Sequence, residues 1–122
     1  MGAGGRVVKA ADWMRRPEIW SGRIEGRDLG TGMTVLFYAS EADDPGVPLH
    51  VHDYDELFII REGRALFTVG GEEIEAEAGD VVFGPAHVPH KFRNLGPGRL
   101  ETTDIHLSDR FVQTLLDDPE AP

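Results

Sequence analysis

Short β-patterned runs cut by glycine turns constrain this chain more than any other feature of its sequence. Met33 to Tyr38 is β-branched and aromatic enough for a buried strand, and Leu57 to Ile60 makes another that breaks at Glu62-Gly63. Ala65, Phe67 and Val69 recur at every second position, the period of a half-buried strand. Gly70-Gly71 then marks a two-residue hairpin. That turn sets Phe67 opposite Ile74 and Ala65 opposite Ala76, so the apolar faces agree and fix the register. A turn at Ala78-Gly79-Asp80, a strand at Val81 to Phe83 and a loop from Gly84 to Pro89 follow. Two further strands, Lys91–Asn94 and Leu100–His106, are separated by Gly96-Pro97-Gly98. Turn signals every 8–12 residues or so, without helical crossovers, predict an antiparallel sandwich or barrel.

The flanks divide the chain. Residues 1–17 mix glycine, alanine and charges around Trp13 and Met14 and read as an arm ending at Pro17. Residues 18–107 are the barrel; within them Glu18 to Tyr38 reads as two strand-like stretches around Gly30-Thr31-Gly32. Residues 108–122 read as a short C-terminal helix and tail, with Ser108 as cap and Phe111, Val112, Leu115 and Leu116 near helical spacing. A chain of 122 residues suits one domain, burying roughly two-thirds of its unfolded surface. There are no cysteines, hence no disulfide or thiolate site. Neither an 18-residue apolar run nor a signal-peptide stretch is present, so a cytoplasmic protein is expected. The formal charge of −10 opposes binding to nucleic acid or to an anionic membrane.

The chemistry lies in His50-Val51-His52-Asp53-Tyr54-Asp55-Glu56. Residues two apart in a strand share a face, so His50 and His52 present two imidazoles together. Glu56 has the same parity and reaches the same space after a turn. His90 follows 34 residues after Glu56, and only a fold that returns the chain brings it close. Three imidazoles and a carboxylate are a normal donor set for a first-row divalent metal. Taken alone, a strand histidine is more often a surface or hydrogen-bonded residue, and Asp53, Asp55 and Glu56 also fit a solvated acidic turn.

The wider spacing adds a resemblance. Gly46, His50, His52, Glu56 and Gly63 follow the first cupin motif, G-x(3–5)-H-x-H-x(3,4)-E-x6-G, with three residues before the glutamate and six after it. Gly79, Pro85, His90 and Asn94 follow the second, G-x5-P-x-G-x2-H-x3-N, with His87 where the motif has its second glycine. The chain thus resembles the small single-domain cupins closely over residues 46–94 and loosely in the flanking strands. The resemblance implies an all-β fold, a double-stranded β-helix or jelly-roll barrel. It also implies one divalent metal ion (Fe, Mn, Zn or Ni) held by His50, His52, Glu56 and His90.

Strand parity places Phe58 and Ile60 inward with Glu56, Phe67 with Ile74, and Phe92 with His90, giving a small-molecule pocket lined by apolar side chains. The same phenylalanines also fit a role as barrel filling. One parity of the last strand presents Thr102, Asp104 and His106 and the other Glu101, Thr103 and Ile105; the first makes His106 a candidate for contact with a metal ligand or a substrate, and His87 reads as a surface-loop residue. Two functions are carried forward: a metal-dependent enzyme acting on a small organic molecule, dioxygenase-like in preference to isomerase or lyase, and a non-catalytic binding or sensing barrel. A homodimer with two-fold symmetry is expected, with either the arm bearing Trp13 and the nearby Trp20 or the first strand packed on the partner.

Overall fold

The Gly70-Gly71 turn forms where the alternation predicts it, joining β5 (Arg64–Val69) to β6 (Glu72–Glu77). Phe67 pairs with Ile74 and Ala65 with Ala76. The structure, a computed structural model, describes residues 4–121. Its other strands are β1 (Gly22–Ile24), β2 (Thr34–Ser40), β3 (Val47–Val51), β4 (Glu56–Glu62), β7 (Val81–Gly84), β8 (His90–Asn94), β9 (Leu100–His106) and β10 (Thr114–Leu115). They form two sheets in the orders β1-β2-β9-β4-β7 and β10-β3-β8-β5-β6, antiparallel in every ladder. Because the chain crosses repeatedly between the two sheets, the architecture is a jelly-roll barrel and residues distant in sequence meet at its ends.

Phe58, Ile60, Ala65, Phe67, Ala76, Val82, Phe92 and Leu100 form the core. Phe67 stacks on Phe92 with centroids 4.8 Å apart, and Phe58 tilts against Phe67 at 4.9 Å. Two motif glycines have backbone reasons to be there. Gly46 and Gly63 have φ of 86° and 88°, where a side chain is strained. A Cβ at Gly46 would lie 2.6 Å from the Phe92 carbonyl oxygen, and one at Gly63 would collide with that of Arg99. His87 also adopts a left-handed φ, 68°, which explains the motif's glycine. Histidine tolerates that region better than most residues, and here its ring is exposed. Asn94 is structural: its amide donates to the carbonyls of Ser40 and Gly98 while its oxygen accepts from Gly96 N–H, clipping the turn before β9.

Two expectations change. The first stretch after Pro17 yields only the three-residue β1, followed by a helical turn, α2 (Gly26–Leu29), closed by Gly30 in the left-handed conformation. The expected C-terminal helix does not form: Ser108–Arg110 bends, and the chain runs extended into β10, which pairs with Val51 and His50 of β3. Backbone partners decide this, because Phe111 N–H donates to Glu25 and the Val112 carbonyl accepts from His52, bonds a helix would forfeit. The arm, of which residues 1–3 lie outside the described residues, includes the helical turn α1 (Ala10–Trp13) and covers its own barrel. Trp13 stacks on Phe37 at 3.6 Å, and Trp20 meets both rings edge-on at 5.3 and 5.2 Å. Trp20 donates to the Thr102 carbonyl, with the Arg61 guanidinium 3.8 Å over its ring.

Candidate metal centre

Strand ends build the site. His50 lies near the end of β3, directly across from His90, the first residue of β8. Glu56 opens β4 and lies opposite His106, the last residue of β9. His52 follows β3 and precedes the turn through Tyr54. The ligating atoms of His50, His52, Glu56 and His90 all lie within 4.8 Å of one another, and all four residues are buried. The barrel thus brings together the four side chains singled out in the sequence.

Proton allocation reveals the character of this cluster. The Nδ1 of His50 is 2.7 Å from the Pro48 carbonyl oxygen, that of His52 2.6 Å from Val112 O, and that of His90 3.3 Å from Val88 O. A carbonyl only accepts, so each neutral ring carries its proton on Nδ1 and directs a bare Nε2 lone pair inward. His52 Nε2 and His90 Nε2 lie 3.2 and 3.3 Å from Glu56 Oε1. These three buried atoms have no hydrogen-bond partner among the described residues. Lone pairs facing one another in a dry interior are unfavourable unless something positive lies between them. Imidazole nitrogens and a carboxylate, so arranged, fit a divalent metal ion.

The electrostatics agree. Burial lowers the His50 pKa to about 4, outweighing the hydrogen bond to Pro48, so its ring is neutral and available near pH 7. Burial pushes the Glu56 carboxyl upward, but the hydrogen bond from His106 opposes it, and the group is held below the ordinary carboxylate range. Asp104, on the inward face of β9, is shifted the other way. Burial first, and then the charge on Glu56, raise its pKa well above the ordinary value.

Phe58, Ile60, Phe67 and Phe92 point inward, as their parity requires, and pack on one another as part of the core. Phe58 meets the His90 ring edge-on with centroids 5.3 Å apart, so the apolar cluster begins directly at the centre. His106 belongs to the site as well, through Glu56: its Nε2 is 2.9 Å from Oε2. Sequence reasoning missed Tyr54, Phe111 and Val112. Tyr54 shares the parity of His52 and Glu56, a signal hidden by reading Asp53–Asp55 as a solvated turn. The Phe111 ring stacks on His106 at 5.6 Å, where no local pattern places it.

Comparison with known proteins places this geometry in a family. The cupin domain family matches residues 36–106, more than half of the chain. An uncharacterised protein of Methanocaldococcus jannaschii is 41% identical over 49 residues, covering 39% of this chain and 39% of its own length. The transcriptional activator RhaR of Pectobacterium atrosepticum is 28% identical over 97 residues, 75% of this chain and 34% of that one. The oxalate decarboxylase of Bacillus subtilis, a protein with Mn(II) centres, superposes with a TM-score of 0.70 at 21% identity, covering 78% of this chain and 27% of that one. This chain therefore spans about two-fifths or less of each of these proteins. Both motifs and the barrel agree with the family match: the chain is a member of the cupin family.

Proposed function

We propose that this protein is a metal-dependent enzyme that binds one divalent ion through His50, His52, Glu56 and His90 and acts on a small organic molecule at that ion, with dioxygenase-like chemistry favoured. The observation that carries the metal is the convergence of three buried atoms, His52 Nε2, Glu56 Oε1 and His90 Nε2, that have no hydrogen-bond partner among the described residues. Such an ion supplies a Lewis acid and a binding template, and four protein donors leave positions open on a six-coordinate metal. In this reading Glu56 is a ligand and not a free base. Phe58, Ile60, Phe67, Phe92 and His106 form the substrate side of the centre, with the aromatic cluster excluding water and His106 orienting Glu56. The Bacillus enzyme's Mn(II) centres support manganese as the first ion to test among Fe, Mn, Zn and Ni. The proposal places the protein in the cytoplasm as a homodimer. Among the described residues no helix is long and apolar enough to cross a membrane.

Elemental analysis of protein purified without added metal, followed by an oxygen-uptake screen with small organic acids and phenols, tests the proposal. About one equivalent of a single transition metal with substrate-dependent uptake is the expected result. Protein that takes up no divalent ion near neutral pH overturns it. A second reading, a binding or sensing barrel without turnover, is favoured by the similarity to RhaR over 75% of this chain. Metal occupancy with ligand binding and no turnover identifies that case.

A further inference from the structure

The family match ends at residue 106, yet the chain beyond it reaches the centre. From Phe111 to Leu115 it lies across the ligands: Phe111 stacks on His106 and meets His52 edge-on, while β10 pairs with β3 beside His50. Val112 is the junction. Its carbonyl accepts from His52 Nδ1–H at 2.6 Å, and its N–H points to the Tyr54 hydroxyl oxygen at 3.3 Å. The Tyr54 oxygen is 2.7 Å from His106 Nδ1 and 2.8 Å from the Val112 carbonyl.

With His106 neutral, one allocation of protons satisfies this group. Glu56 Oε2 needs a donor, so neutral His106 carries its proton on Nε2, 2.9 Å away. His106 Nδ1 must then accept, and the Tyr54 hydroxyl is the donor beside it. The Val112 carbonyl loses nothing, because His52 Nδ1–H already donates to it. The result is a directed chain, Val112 N–H to Tyr54 O–H to His106 Nε2–H to Glu56 Oε2. It ties one carboxylate oxygen down and leaves Oε1 facing the bare nitrogens of His52 and His90. Tyr54 and His106 are 8% and 2% exposed, so water does not compete for these bonds. The Tyr54 ring also stacks on the His52 ring with centroids 4.7 Å apart, which steadies a second ligand.

We propose that Tyr54 and His106, braced by the Val112 backbone of the C-terminal strap, are positioning residues for the metal centre: they fix the rotamer of Glu56 and the seat of the His52 ring, whose tautomer the Val112 carbonyl sets, so that both ligands present lone pairs to the ion. The inference rests on the metal reading above and extends it to residues that are not specified positions of either motif. Hydrogen-bonded partners behind metal ligands of this kind typically change metal affinity by roughly 10- to 100-fold.

Mn(II) binding to the full chain tests the assignment, with affinity from calorimetry and ligand geometry from the electron paramagnetic resonance line shape. His106→Leu removes the donor to Glu56, whereas His106→Gln keeps an N–H at the Nε2 position. We expect His106→Leu to weaken Mn(II) binding about 10- to 100-fold with an altered line shape, and His106→Gln to restore most of both. Tyr54→Phe keeps the ring on His52 and removes only the hydroxyl; it should weaken binding by a smaller factor and shift the line shape in the same direction. It also serves if His106→Leu does not fold. The assignment is overturned if both His106→Leu and Tyr54→Phe bind Mn(II) like the unmodified protein with the same line shape, or if His106→Gln is as impaired as His106→Leu. Unmodified protein that binds no Mn(II), Fe(II), Zn(II) or Ni(II) removes the metal reading itself, a result distinct from the others.

Discussion

His52 and His90 each expend one nitrogen on a backbone carbonyl and leave the other bare and buried. Replacing either by alanine removes a ligand and leaves the packing of Phe58, Phe67 and Phe92 on one another in place, so His52→Ala and His90→Ala should lose most metal while keeping the fold. Metal content by mass spectrometry and the far-ultraviolet circular dichroism spectrum check the two halves; full occupancy in both variants would exclude these side chains as ligands. Asp104 makes a prediction about pH. Its native pKa lies well above the ordinary 3.8, raised first by burial and then by the charge of Glu56. Between those two values the unfolded chain releases a proton that the native protein retains, so this group's contribution to stability is greatest below about pH 3.8 and falls as pH rises. Asparagine has no such proton. In metal-free protein, Asp104→Asn should therefore gain in melting temperature relative to the unmodified chain as pH is raised from about 4 to 7. Thermal scans across that range measure it, and a difference that stays flat sinks the argument.

The strands differ in how openly the sequence announces them. The β5–β6 hairpin is local: Gly70-Gly71 supplies the turn, alternation supplies the face, and the paired register of Phe67 with Ile74 follows from both. His50 and His52 were legible for the same reason, since a period of two needs no knowledge of the rest of the fold, and His90 became legible through motif spacing. Residues 108–116 were not. Phe111, Val112, Leu115 and Leu116 sit at helical spacing, but the deciding bonds run to His52, 60 residues away in sequence, and to Glu25, 86 residues away. No window along the chain contains those partners, so the local pattern pointed to the wrong element. The element that anchors the core is β5. Phe67 is fully buried between Phe58 and Phe92. Phe67→Ala should lower unfolding free energy by about 3–5 kcal/mol, read from the midpoint of urea denaturation. A loss below about 1 kcal/mol would mean the barrel repacks around the missing ring.

Two properties belong to the whole molecule. The proposed homodimer would use a surface other than the aromatic arm, because Trp13 and Trp20 pack on Phe37 of their own barrel. The exposed apolar side chains Leu57 and Ile59 of β4 stand opposite Phe83 and Val81 of β7, the outer strand of its sheet, which offers a second copy both apolar area and an unpaired edge. Light scattering at micromolar concentration should give twice the chain mass, and Phe83→Lys should shift it toward one; a monomer in the unmodified protein rejects the dimer. The ion's effect on stability follows from linkage. The ligands come from β3, β4, β8 and the segment between β3 and β4, so a bound ion cross-links both sheets at one end of the barrel. An unfolded chain holds those four donors far apart and binds weakly. Metal at 100 times its dissociation constant therefore adds about 2.7 kcal/mol to native stability, on the order of a 10 °C rise in melting temperature for a domain this size. Chelation should reverse the rise, and His90→Ala should show almost none of it at the same metal concentration. Calorimetric scans with and without Mn(II) measure all three; an equal rise in His90→Ala would place the stabilising ion elsewhere on the molecule.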